Sequence, residues 1–136
     1  MKSVWRAAGI VASAVVGVVL MGGPAWAVGS RAVASTDGAA GRIDFRFISS
    51  SRVDPISMQV TDTRVDGRVA KLRIIAGTGT GTKYYAWRTA VGDTTEESTY
   101  LYDSSGVDWI QLQVCRVAPA GIEDCGYSDL NWNPYG

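Results

Sequence analysis

The chain has 136 residues, 46% of them apolar, with 13 basic and 13 acidic side chains, two cysteines and no histidine. This length suffices for one domain with its own core and is short for two. The lack of histidine excludes Ser-His-acid and Cys-His catalysis and histidine metal sites, and the balanced charge offers no basic surface for nucleic acid.

Residues 1–27 have the three parts of a secretory signal. Lys2 and Arg6 come first, then an apolar run from Ile10 to Met21 ended by Gly22-Gly23-Pro24, then the small-residue cleavage site Ala25-Trp26-Ala27. The run falls short of the roughly 20 residues that a membrane span needs, so cleavage and a secreted, extracellular product without membrane insertion are expected. Cleavage removes Lys2 and Arg6 and leaves 11 basic against 13 acidic residues, a net charge of −2. In an oxidising compartment the even cysteine count makes a Cys115–Cys125 disulfide the default. Closing so small a loop is worth roughly 2.5 to 3 kcal/mol in the loop-entropy model.

Residues 28–41 (VGSRAVASTDGAAG) are small, polar and punctuated by glycine, which predicts a flexible N-terminal arm. The folded domain is expected over residues 42–136. There the apolar period is two: Ile43, Phe45 and Phe47 alternate with Arg42, Asp44 and Arg46, and Ile56, Met58 and Val60 alternate with Ser57, Gln59 and Thr61. Asp66-Gly67 is a two-residue turn signal, and it predicts a hairpin joining the Ile56–Thr63 region to the Val69–Ala76 region, where Ala70, Leu72, Ile74 and Ala76 share a face. A flexible Gly77–Thr82 loop, an aromatic strand over 83–88 (KYYAWR), a polar loop over 89–97 and a strand over 98–102 follow. Asp103-Ser104-Ser105-Gly106 reads as a turn. The longest strand, 107–117, puts Ile110, Leu112 and Val114 on one face and Trp109, Gln111, Gln113 and Cys115 on the other. Cys125 then ties the tail back, so the start of the tail is expected to be ordered.

No window carries a helical stripe, and β-branched and aromatic residues dominate the periodic segments. The pattern predicts an all-β fold, an antiparallel β-sandwich immunoglobulin-like in outline with one disulfide near the C-terminus, an open barrel being the alternative. Catalytic and metal-binding constellations are not found. Glu96-Glu97 and Glu123-Asp124 are adjacent carboxylates that read as solvated loops, and neither Lys71 nor Lys83 is obviously desolvated as a lysine base must be. The Asp103–Asp108 stretch lacks the ligand count and closing Glu of an EF-hand loop. No catalytic residue, metal or cofactor is therefore expected. Of the aromatics, Trp87 or Trp109 is assigned to the core beside the disulfide, and the tail with Trp132 and Tyr135 to a contact surface.

The stretches Asp66-Gly-Arg, Leu72-Arg-Ile-Ile, Tyr85-Ala-Trp87, Val114-Cys-Arg, Cys125-Gly-Tyr-Ser and Asn133-Pro-Tyr, set behind a signal and a small-residue arm, resemble the small secreted one-disulfide proteins of filamentous actinobacteria. Among these the likeness is greatest to the small adaptor subunit of umbrella toxin particles. That resemblance implies a non-catalytic β-sandwich adaptor joining a repeat-bearing toxin subunit to a lectin subunit in an extracellular antibacterial complex. The residues suit such binding in two ways: an arm carrying Val28, Arg31 and Val33 could order in a groove, and Arg42–Ile48, with Arg42 and Phe45, could add a strand to a partner. Two other functions fit the same sequence: a carbohydrate-binding module using Tyr84, Tyr85, Trp87 or Trp132, and a protease inhibitor presenting the 118–124 loop.

Overall fold

The computed structural model describes residues 29–91 and 93–136; the expected signal peptide and Val28 lie outside the described residues. Among the described residues ten strands make two antiparallel sheets, with no helix: β1 (Gly29–Thr36), β2 (Ala39–Phe47), β3 (Arg52–Asp62), β4 (Val69–Thr78), β5 (Gly81–Tyr84), β6 (Arg88–Thr89), β7 (Thr94–Tyr102), β8 (Val107–Ala118), β9 (Gly121–Tyr127) and β10 (Asn131–Trp132). One sheet has the order β1-β2-β3-β7; the other runs β10-β8-β4-β5, with β6 also on β4 and β9 also on β8. The two pack face to face, so the expected antiparallel sandwich is observed.

The period-two pattern sorts the side chains as the pleat requires. Ile43, Phe45, Phe47, Val53, Ile56, Met58, Val60 and Leu101 from the first sheet meet Ala70, Leu72, Ile74, Ala76, Val107, Ile110, Leu112 and Val114 from the second in one core. Phe45 and Phe47 meet edge to face, with ring centroids 5.4 Å apart.

Two expectations about the chain's course are corrected. Residues 29–41 are not a flexible arm. They form β1 and the start of β2, joined at Asp37-Gly38, where Thr36 pairs with Ala39 and Gly38 has φ +87°. Small residues suit this place because Ala32, Ala34 and Ala39 are buried and β1 runs unusually close to β9: a Cβ on Gly126 would stand 2.0 Å from the Ser35 carbonyl oxygen. Thr36 also donates a hydrogen bond to Asp124.

Nor does Asp66-Gly67 make a hairpin. β3 pairs with β2 and β7, while β4 pairs with β8, β5 and β6, so the 63–68 connection crosses from one sheet to the other. The core explains the crossing: Ile56, Met58 and Val60 face Leu72, Ile74 and Ala76 across the sandwich.

Elsewhere the Gly77–Thr82 run is a tight β4–β5 hairpin in which Thr78 pairs with Gly81. The aromatic stretch breaks into β5 and β6, and β7 begins at Thr94, inside the expected polar loop. The 118–124 segment leaves only Pro119 and Ala120 outside strands, and within that hairpin Cys115 and Cys125 sit directly opposite each other and are disulfide-bonded. The tail is ordered as expected: Asn133 is buried, its amide donating to the carbonyls of Ser49 (3.0 Å) and Val107 (2.8 Å) while its oxygen accepts from the Tyr135 N–H (2.9 Å).

Candidate binding site

The two outer faces of the sandwich differ in chemistry. On the first sheet, Arg31, Asp44 and Ser57 form one cross-strand row, and Val33, Arg42 and Gln59 the next on the same face. Arg31 Nε bonds Asp44 Oδ1 at 2.6 Å, Arg42 Nε lies 3.2 Å from Asp44 Oδ2, and Gln59 donates to Glu96 at 2.9 Å. Shallow depressions of about 420 Å³ and 300 Å³ flank the Asp44 carboxylate. This face is charged and polar.

The second sheet's outer face is aromatic. Arg73 on β4, Gln113 on β8 and Tyr127 on β9 stand in one cross-strand row. Arg73 Nε donates to Gln113 Oε1 at 2.7 Å, and Gln113 Nε2 donates to the Tyr127 hydroxyl at 3.0 Å. The Arg73 guanidinium carbon lies 4.6 Å from the Tyr84 ring centroid and 4.3 Å from that of Trp87, within cation–π range of both. Along the same face the Trp109 indole covers Gly77, where a Cβ would lie 2.1 Å from its Nε1. Trp132 pairs with Trp109, and a depression of about 330 Å³ opens between them beside Asp108 and Asn133.

The partner-binding residues expected from the sequence are distributed over both faces. Arg31, Val33 and Arg42 share the charged face; Trp132, 65% exposed, lies at one end of the aromatic face, and Tyr135, 45% exposed, follows it in the C-terminal turn. Phe45 is corrected: its side chain is buried in the core, and β2 is hydrogen-bonded on both edges, so Arg42–Ile48 has no free edge to offer a partner strand. The core assignment of Trp87 or Trp109 is also corrected. Both are half-buried on the outer face, because the interior is filled by aliphatic and phenylalanine side chains. Tyr85 instead packs against the core, and burial raises its phenol above the usual value.

Sequence reasoning missed Arg73, Gln113 and Tyr127 as a group. Arg73 was legible as outward-facing, but the row exists only through register between strands 40 positions apart in the sequence.

Two further charge clusters hold the fold. Asp103, buried at the β7–β8 turn, accepts bonds from Lys83 and from the N–H (2.9 Å) and hydroxyl (2.5 Å) of Ser105. Lys83 and these two donors lower its carboxyl to about 2. The Asp103–Asp108 stretch is thus a turn whose first carboxylate is already occupied. At the opposite end, Arg116 reaches Asp37 (3.3 Å), Asp66 (3.6 Å) and Glu123 (3.2 Å), binding both Asp-Gly segments to β8 and β9. Arg68, hydrogen-bonded to Glu123 at 3.0 Å, holds that carboxyl below its usual range.

Among the described residues no group of three Cys, Asp or Glu converges to hold a metal ion, and no helix is long and apolar enough to cross a membrane. Comparison with known proteins finds no matching family model, no matching curated protein and no matching solved structure.

Proposed function

We propose that the protein is a secreted, non-catalytic adaptor that binds protein partners in an extracellular complex. One observation carries the reading: a small sandwich presents two opposite faces of unlike chemistry, one charged around Arg31, Asp44 and Arg42, the other aromatic around Tyr84, Tyr127 and Trp132. Tyr, Trp and Arg are the side chains that dominate protein interfaces. A module with two such faces can hold two partners at once, and a repeat-bearing toxin subunit and a lectin subunit are the partners the resemblance implies. The disulfide suits an oxidising compartment.

The test is co-purification of the mature chain from the secreted proteins of its host, with one substitution set per face. Val33→Glu with Arg42→Glu is expected to release one partner, and Tyr127→Ala with Trp132→Ala the other. Recovery of free monomer alone would overturn the proposal.

A second reading, a carbohydrate-binding module, is favoured by the exposed Tyr84 and Tyr127 rings flanking a fixed guanidinium. In that case one partner is a glycan. A glycan array that retains no labelled mature protein would remove this reading and leave the adaptor reading standing.

A further inference from the structure

We propose that the Arg73–Gln113–Tyr127 row binds a carboxylate-bearing saccharide, a hexuronate unit of a polysaccharide. This inference rests on the carbohydrate reading of the aromatic face and names the class of sugar it takes.

The hydrogen-bond inventory of the row selects the ligand. Gln113 is 5% exposed, and both ends of its amide are engaged, Oε1 by Arg73 and Nε2 by the Tyr127 oxygen. Each acceptor in the row therefore already has a donor. What remains are donors: the two terminal nitrogens of Arg73, which have no hydrogen-bond partner among the described residues, and the Tyr127 hydroxyl proton. With its two acceptor oxygens each already engaged once, the row offers mainly donors, which favours an acceptor-rich ligand.

Charge points the same way. Arg31, Arg42, Arg52, Arg64, Arg68, Lys83, Arg88 and Arg116 each have a carboxylate within ion-pair distance. Three described cations are not among these pairs: Arg46, exposed on β2 of the other sheet, and Arg73 and Lys71, which are both on β4 and face the same way. The aromatic face thus carries two of the three cations that lack a carboxylate within ion-pair distance among the described residues. The complement of a planar guanidinium is a planar carboxylate, which can accept two parallel N–H bonds.

The geometry is fixed before a ligand arrives. Two rings confine the guanidinium at 4.3 and 4.6 Å, and Gln113 holds its Nε, so little freedom remains to be lost on binding. On either side Tyr84, 60% exposed, and Tyr127, 56% exposed, offer ring surface to the C–H face of a pyranose. An acid group at Arg73 with a sugar ring on a neighbouring tyrosine engages the free guanidinium nitrogens and an exposed ring together.

The experiment is a fluorescence and calorimetric titration of the mature chain at low salt. The probes are oligogalacturonate, oligomannuronate, neutral maltohexaose and cellohexaose, and hexaglutamate. At least one hexuronate is expected to bind, to perturb the emission of the neighbouring Trp87, and to weaken as salt is raised. The neutral hexaoses and hexaglutamate are expected to bind at least tenfold more weakly. Arg73→Gln and Tyr84→Ala should each cost about tenfold or more in hexuronate affinity, Arg73→Lys an intermediate amount, and Arg42→Gln on the opposite face nothing. Circular dichroism melts of each variant establish that it is folded.

Hexuronate binding that a folded Arg73→Gln protein retains would overturn the assignment. So would hexaglutamate binding as tightly as the sugars, which would make this an acidic-peptide face. Binding of the neutral hexaoses alone would reject the acid specificity while keeping the carbohydrate reading. Binding of no saccharide would end both.

Discussion

Asp103 illustrates how one buried carboxylate makes stability depend on pH. Its folded-state value of about 2 lies below the ordinary aspartate value, so its contribution is complete above pH 4 or so and is lost as pH falls from there through about 2. Glu123, lowered chiefly by Arg68, acts in the same direction. Urea titrations between pH 7 and 2 should show the midpoint falling in this acid window. Asp103→Asn should lower the midpoint at neutral pH and flatten the acid limb; an unchanged limb would mean that the Lys83–Asp103 contact does not bear on folding. Gly126 is the other decisive residue. A methyl group there meets the Ser35 backbone, which cannot rotate away, so Gly126→Ala should cost about 1 to 3 kcal/mol by forcing β1 from β9, measurable as a lowered urea midpoint. The same change at Gly67, where no atom lies within 4 Å, should carry only the smaller penalty of a positive φ.

At the scale of elements, the β8–β9 hairpin is closed by a disulfide between directly opposed residues. Replacing both cysteines with alanine should remove about 2 to 3 kcal/mol, read from denaturant unfolding of the two proteins side by side. How far the strands were legible follows from what each buries. Ile43, Phe45 and Phe47, or Ile110, Leu112 and Val114, announce a buried face by size alone, and all six are in the core. β1 buries only Ala32 and Ala34, too little apolar surface to register as a strand in composition. Its hairpin was nevertheless encoded: Asp37-Gly38 is the same turn signal as Asp66-Gly67, and here it makes the two-residue turn. A turn signal fixes a local reversal, whereas the partner of the strand beyond it is set by which sheet must bury that strand's apolar side. For the same reason the candidate binding row could not be read in advance. Arg73, Gln113 and Tyr127 come from three strands, and only the register aligns them.

For the molecule as a whole, β1 changes what a truncation would do. A chain starting at Arg42 would lose β1 and its turn, uncover β2 and open the contact with β9. Such a chain should fail to fold, because the loss exceeds the typical effect of a single mutation in a domain whose total stability is about 5 to 15 kcal/mol. A cooperative thermal melt from it would show that β1 is dispensable. The sandwich is also pinned across its open sides, by Arg88 to Glu97 at 2.8 Å and by the Arg116 cluster. The contact between β1 and β9 carries a consequence for the order of synthesis. Thr36 and Asp124 are 88 positions apart, so the first strand to leave the ribosome has no complete seat until nearly the last strand has followed it. Closing the sandwich therefore waits on contacts between its two ends, a separation of the kind that slows folding relative to a fold built from local contacts.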